Sequence, residues 1–278
     1  MVYRAVSHDP EAADVLTARP PKPLVVDVLG VPIARIDLAG LLSRVVDSIE
    51  RPSPAPLILA YANAHTCNLA ARDPAFRRAL QRVDIVYLDG NGPRLAAWLS
   101  GATLPRRMTG ADWIHDLCQL CVERGFGLYF LGARPGVAAA AAHVLQRAHP
   151  GLCVLGTHDG YFSPSAWPGI EQEIQSLGPA ILVVGMASPH QETWMLEVAP
   201  RLGVRVIWGA GGMFDYASGR LHRAPPWMRG LGLEWLGRML VEPRRLLSRY
   251  LLGIPRFLAR SLAWGASSRL RRMLHPDE

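Results

Sequence analysis

Asp89 is the carboxylate best placed for chemistry. In Val86-Tyr87-Leu88-Asp89-Gly90-Asn91-Gly92 it directly follows an apolar run and has glycines on either side of Asn91 behind it. That placement aims a side chain off the end of a buried strand rather than along a helix, which suits a general base. The same position suits the N-cap of the helix that follows. Arg107, just ahead of Met108-Thr109-Gly110 and a helical stretch, is either a bidentate partner for a phosphate or a surface arginine. Gly132-Ala133-Arg134-Pro135-Gly136 joins a strand-like run to the helical Val137-Ala138 stretch. A turn of that kind offers backbone N–H groups to a phosphate, although glycines there also serve packing alone. It is not the G-x-G-x-x-G fingerprint, which weakens the case for a dinucleotide and for a nicotinamide-dependent oxidoreductase. No Asp-x-Asp triplet occurs in the chain.

The four cysteines, Cys67, Cys118, Cys121 and Cys153, are too few and too scattered for a disulfide framework. Only Cys118 and Cys121 have metal-like spacing, and they sit in a helical pattern with no second pair of ligands, so core packing is expected.

The elements that must carry these residues are legible as alternating periods. LVVDVLGVPIARIDL reads as two short β segments around Leu29-Gly30, and LAGLLSRVVDSIE as an amphipathic helix. PLILAYAN, DIVYLDG, GLYFLGA, CVLGTHDG, AILVVGM and VRVIWGAG follow as short apolar runs ending in Gly, Asp, Asn or Ser, with helical stretches between them. The fold expected is α/β, a doubly wound, mostly parallel, Rossmann-like sheet. Ligands in such sheets sit beyond the carboxyl ends of the strands. The residues found there are Asn63, His65 and Thr66, Asp89, Gly90 and Asn91, Gly132, Arg134 and Gly136, His158, Asp159 and Gly160, Ser188-Pro189-His190-Gln191-Glu192, and Gly209 to Gly212 with Asp215.

Charge divides the chain. Residues 1–219 carry 18 basic and 19 acidic side chains, whereas residues 220–278 carry 12 basic and 4 acidic. The whole positive excess of a chain with formal net charge +7 therefore lies in its tail. There Leu247, Tyr250, Leu251, Ile254, Phe257, Leu258 and Leu262 recur at helical spacing, with Arg245, Arg249, Arg256 and Arg260 on the other side. This is a basic amphipathic helix pair broken near Pro255. It suits either a terminal helix docked on the body or attachment to an anionic membrane surface. No helix-turn-helix, RNP or zinc pattern accompanies the charge, so nucleic acid is not expected as a partner. No run of apolar residues is long enough to span a bilayer, and the first residues lack a signal-peptide core. The expected division is a leader over 1–23, an α/β core over 24–219 and a basic appendage over 220–278.

Seven ordered blocks carry a resemblance: YANAHTCNLAARD, DIVYLDGNGPRLAAWLSG, RMTGADW, YFLGARPGVA, GYF, VVGMASPHQETWM and the long block from GAGGMFDYASGRLHRAPPW to RRLLSRYLLGIPRFL. In this order they resemble the WecG/TagA/CpsF family of bacterial glycosyltransferases, from about Val26 to about Leu258. The resemblance implies inverting transfer of an N-acetylmannosamine-type sugar or another hexose from a UDP-sugar to a polyprenyl-diphosphate-linked saccharide. It places the protein in the cytoplasm, peripheral on the inner face of the membrane, in surface polysaccharide synthesis, with homo-oligomers compatible.

By the same resemblance Asp89 matches the family's catalytic aspartate, Arg107 the arginine ahead of its Thr-Gly block, and Asn63 the asparagine of its Thr-x-Asn block. Tyr61 stands where that block has threonine, and Pro189-His190-Gln191-Glu192 stands for Pro-Lys-Gln-Glu, with histidine replacing lysine. Asp89, Arg107 and Asn63 are thus the expected catalytic set. Tyr61, Asn91, Thr109, Gly132, Arg134, Gly136, Gly185, His190, Gln191 and Glu192 are the expected contacts to substrate or nucleotide. Arg244, Arg245 and Arg249 could reach the diphosphates if the tail closes over the crevice. With no Asp-x-Asp triplet to hold a metal on the departing UDP diphosphate, arginine and backbone amides are expected to stabilise it, with no metal or other cofactor. A non-catalytic assembly factor on the membrane, or a UDP-sugar epimerase, are the rival functions.

Overall fold

The computed structural model describes residues 22–51, 53–225, 228, 234–241, 246–247 and 250–274. Arg244, Arg245 and Arg249, and the leader up to residue 21, lie outside the described residues.

The chain opens with an antiparallel hairpin, β1 (Val25–Val28) and β2 (Val31–Ala34). Its two turn residues, Leu29 and Gly30, have φ of 57° and 84°, the left-handed pair that a tight hairpin turn demands. After α1 (Leu38–Glu50), capped by Asp37, come β3 (Leu57–Ala62), α2 (Ala64–Ala70), α3 (Pro74–Arg82), β4 (Ile85–Leu88), α4 (Gly92–Leu99) and α5 (Gly110–Arg124). Then follow β5 (Leu128–Gly132), α6 (Val137–Ala148), β6 (Val154–His158), α7 (Trp167–Leu177), β7 (Ile181–Gly185), α8 (His190–Val198), β8 (Val206–Gly209) and α9 (Met213–Ala217). The tail contributes α10 (Glu234–Val241) and α11 (Gly253–Leu274).

Six strands form one sheet in the order β4-β3-β8-β7-β5-β6, every pair parallel. Each of the six apolar runs read from the sequence is one of these strands. A parallel sheet needs cover on both faces, and successive side chains supply two separate cores. Ile58, Ala60, Val86, Leu88, Leu131, Leu182, Val184 and Ile207 pack under α2, α3, α4, α7 and α8. Leu59, Tyr87, Phe130, Val183 and Trp208 pack under α1, α5, α6 and α9. The edge strand β4 is buried at every position because β2 lies against it.

Cys118 and Cys121 belong to the second core, on the inner face of α5, and burial pushes both thiols up to about 12. They are packing residues, as expected.

The tail departs from its helical wheel in one respect. The residues that dock α11 on α2 and α4 are Phe257, Ser261 and Gly265, all three buried. Leu258, Leu262, Leu270 and Leu274, on the same helix, stay exposed. Arg260 is not on a solvated arginine face: it turns inward and donates to Asn68 Oδ1 at 2.8 Å. The physical reason is Asn68 itself, a buried amide that needs partners on both ends, and Gly253 O accepts from its Nδ2 at 2.7 Å. The docked-helix and exposed-apolar-face readings are therefore both present in one element. Among the described residues no helix is long and apolar enough to cross a membrane.

Gly265 permits the close approach: a Cβ there would lie 2.9 Å from the Leu99 carbonyl oxygen, which belongs to the backbone and cannot move aside. Gly265→Val is expected to undock α11 at a cost of about 1–3 kcal/mol, the usual range for overpacking. Limited proteolysis should then cut in the tail while residues 24–219 remain protected; an unchanged digestion pattern would show that α11 does not rely on this contact.

Candidate active site

The polar groups at the carboxyl ends of the strands are assembled by backbone bonds before any side chain acts. Asp89 N–H donates to Ala62 O at 2.8 Å, continuing the β3–β4 ladder one step beyond the strands. Gly90 then takes φ of 95°, a turn that favours glycine, and sends the chain away from the carboxylate. Met108 N–H donates to Leu88 O at 2.8 Å, which lays Arg107, Met108 and Thr109 across the end of β4. The sequence left Asp89 open as a helix cap, and the structure removes that alternative. The N-cap of α4 is Asn91, two residues later.

Asn63 holds Asp89. Its Oδ1 accepts from His65 N at 3.0 Å and Thr66 N at 3.1 Å, and Thr66 Oγ1 accepts from Asn63 N at 2.8 Å, a reciprocal cap on α2. Because the cap uses the amide oxygen, the NH2 end must face the other way, and it donates to Asp89 Oδ2 at 3.2 Å. Beneath them Tyr87 is fully buried, and burial first, then the charge of Asp89, pushes its phenol well above the usual range.

Arg107 is half-buried and acts on Asp112, in the first turn of α5. Asp112 also accepts from Thr109 Oγ1, and from Arg223 Nη1 at 2.5 Å. Burial works against its charge, but the bonds from Arg223 and Thr109 and the two guanidinium charges outweigh that and hold it below the ordinary carboxylate range. Sequence reasoning did not include Asp112 among the candidate site residues and missed its partner. Arg223 is 111 residues away in the chain, and no local pattern connects the two. Likewise Asp215 pairs with Arg220 at 2.5 Å, so it anchors the start of the tail.

The block after β7 splits. His190, at the start of α8, is exposed. Gln191 and Glu192 are both buried completely. Gln191 Oε1 accepts from Met186 N at 3.2 Å and from Gly211 N at 2.9 Å, pinning the loop after β7 to the loop after β8. Glu192 Oε1 accepts from Ser188 Oγ at 2.7 Å. Of the three, His190 alone has the exposure to meet a ligand directly; the other two act from behind the surface. Tyr61, on β3, reaches across the end of β8 to Ser188, its hydroxyl 3.4 Å from Ser188 Oγ.

After β5, Gly132 and Gly185 serve packing. A Cβ on Gly132 would run into the Gly185 carbonyl, and one on Gly185 into the Phe214 ring. Arg134 and Gly136 are exposed, and Gly136, with φ of 82°, is the N-cap of α6 without a side-chain cap. The turn spends Ala133 N–H on Gly185 O, at 2.8 Å, and Val137 N–H on Arg134 O, at 3.0 Å, and the start of α6 is the part of it suited to an anion. The chain leaves β5 toward β6 on one side and β7 toward β8 on the other, so the turn lies at the reversal point of the sheet. A cavity of about 250 Å³ lined by Arg44, Asp47, Arg51 and Asp84 lies at the opposite end of the strands, by the starts of β3 and β4, away from all of these groups.

The structure thus gathers Asn63, Asp89, Arg107 and Thr109 at the ends of β3 and β4, with Tyr61 bridging toward the loops after β8 and β7. Residues 26–271, from the first hairpin into α11, match the model of the glycosyl transferase WecG/TagA/CpsF family. A match over most of the chain, on a Rossmann-like sheet with a helical C-terminal appendage, shows that this protein belongs to the WecG/TagA/CpsF glycosyltransferases.

Proposed function

We propose that this glycosyltransferase moves a hexose, of the N-acetylmannosamine type or another, from a UDP-sugar to a polyprenyl-diphosphate-linked saccharide with inversion. The observation that carries the reading is the Asn63–Asp89 contact. It holds one carboxylate at the mouth of the crevice, with Arg107 on the adjoining loop. In the reaction Asp89 takes the proton of the acceptor hydroxyl as that oxygen bonds to the anomeric carbon. The bond from that carbon to the UDP oxygen breaks, and its electron pair leaves with the diphosphate. Arg107 and the N–H groups at the start of α6 meet the charge that develops there. Thr109, Asn91, Arg134 and His190 line the approaches as substrate contacts. The absence of an Asp-x-Asp triplet supports a route without a metal ion.

The tail supports work at a membrane. The leucines of α11 and, on α4, which packs against it, Leu95 and Trp98 are exposed apolar side chains, and the positive excess of residues 220–278 accompanies them. In this reading the protein is peripheral on the inner face of the cytoplasmic membrane, where a lipid-linked acceptor is presented. Arg244, Arg245 and Arg249 belong to the segment that would close over the diphosphates.

Three outcomes test the reading. Asp89→Asn keeps the shape and the Asn63 contact while removing the base, so transfer should fall about 10²- to 10⁴-fold with UDP binding retained; wild-type turnover would refute the assignment. Arg107→Ala should weaken use of the UDP-sugar far more than it lowers the melting temperature, and EDTA should leave the wild-type rate unchanged. Cosedimentation with anionic liposomes should fall steeply with salt, at about 1 kcal/mol per arginine near the surface, and be lost on truncation at Val241. The truncated form separates anchoring from closure: slow turnover on a water-soluble acceptor indicates closure, and normal turnover indicates anchoring alone.

A further inference from the structure

We propose that α11 braces the candidate base: Asn68, Phe257 and Arg260 are positioning residues that hold α2 in the direction from which Asn63 aims Asp89. The part given to Asp89 rests on the glycosyltransferase reading, whereas the coupling of the two helices rests on their geometry.

α2 cannot set its own direction. It has seven residues, too few to be stable as an isolated helix, so its cap and the elements packed on it decide where it points. The cap is Asn63, whose Oδ1 takes the N–H groups of His65 and Thr66 while its Nδ2 donates to Asp89 Oδ2 at 3.2 Å. Any tilt of α2 therefore swings that donor against the carboxylate.

One stripe of α11 meets α2 along its length. Gly253, Phe257 and Arg260 are four and three residues apart and share a face of the helix. Asn68, near the far end of α2, is held from both ends of that stripe. Its Nδ2 donates to Gly253 O at 2.7 Å, and Arg260 Nη1 donates to its Oδ1 at 2.8 Å and to its main-chain oxygen at 3.4 Å. Between them the buried ring of Phe257 serves the capped end. A Cβ on Gly92 would lie 3.0 Å from Ala64 Cβ and 3.3 Å from Phe257 Cε1, so the ring crowds one point with the first residues of α2 and α4. Ala64 directly follows Asn63, and Gly92 closes the turn that begins at Asp89. The ring thus backs both segments that carry the Asn63–Asp89 pair. Asn68 is buried, so a tail that lifts away strips its amide of the partners that burial requires, and α2 loses the contact that fixes its far end.

The test uses the full chain and two readouts. The first is amide hydrogen exchange, which needs no activity. The His65 and Thr66 N–H groups should exchange about 10-fold faster in Arg260→Leu and Asn68→Leu, as for loss of a hydrogen bond from a charged donor, while the amides of α6, on the other face of the sheet, keep their protection. Arg260→Lys keeps a donor for Asn68 and should stay within about threefold of wild type. The second readout is transfer itself: kcat should fall about 10-fold in Arg260→Leu and Phe257→Ala, as for a misplaced catalytic group, with KM for the UDP-sugar within about twofold. Asn63→Ser keeps the cap but drops the donor to Asp89, and Arg260→Leu added to it should cost no more; general loss of folded protein would make the two effects add. Unchanged exchange at His65 and Thr66 in Arg260→Leu overturns the proposal, as do additive losses in kcat or a loss confined to KM. Should Asn68→Leu fail to fold, Arg260→Leu decides together with Gly265→Val, which undocks α11 without touching Asn68. If the wild-type protein transfers no sugar while exchange behaves as expected, it is the functional reading that has failed and the brace that stands.

Discussion

A single amide, that of Asn63, carries two obligations that cannot be separated. Its oxygen satisfies the first N–H groups of α2, and only because that end is taken does its NH2 end point at Asp89. The stability of a helix start and the aim of the candidate base are thereby one constraint. An aspartate at this position would serve the cap equally well and would set a second negative charge against Asp89. A serine or threonine would serve the cap and leave Asp89 without this donor. Among the good capping residues asparagine alone meets both demands.

The same economy appears on the other side of the crevice. Gln191 spends its oxygen on two main-chain N–H groups from the loops after β7 and β8, and its NH2 on Glu192. In both places a side-chain amide converts backbone geometry into a fixed direction for a neighbouring polar group. The crevice walls are rigid for that reason: the donors and acceptors behind them are committed before any ligand arrives, and a committed group costs little to reorganise at the moment of reaction. The glycines close the arrangement. Gly132, Gly185 and Gly211 let β5, β7 and β8 end in contact with one another and with Phe214 and Tyr61, where any side chain would force the strands apart.

The appendage joins this body through polar and small residues rather than through its leucines. Asn68, buried under α11, takes Arg260 and the Gly253 carbonyl as partners, while Ser261 and Gly265 allow the helix axis to come close. Docking that uses one narrow face leaves an apolar row outside, which is the physical condition for a second surface, protein or lipid, to be met there. At the start of the tail, Arg220 on Asp215 and Arg223 on Asp112 tie the chain to the rim of the crevice, so the appendage begins beside the candidate site.

The amino-acid sequence by itself determined the sheet, the hairpin, the first helix and the packing role of Cys118 and Cys121, because burial on both faces of a parallel strand and on one face of a helix leaves a period that can be read locally. It also marked Asp89 and Asn63 as residues beyond strand ends, where a fold of this kind exposes polar groups, and Arg107 as an arginine ahead of a helix. Whether a marked residue faces the ligand or the protein was decided only in three dimensions. Gln191 and Glu192 turn inward because buried main-chain N–H groups and Ser188 need partners that a string of letters does not reveal. Asp112 found Arg223 across 111 residues, Arg260 left the charged side of its helix for Asn68, and Asn91 took the cap that Asp89 was free to hold. Period reports burial, whereas partnership between polar groups depends on which strand ends and loops become neighbours, and that is a property of the assembled sheet.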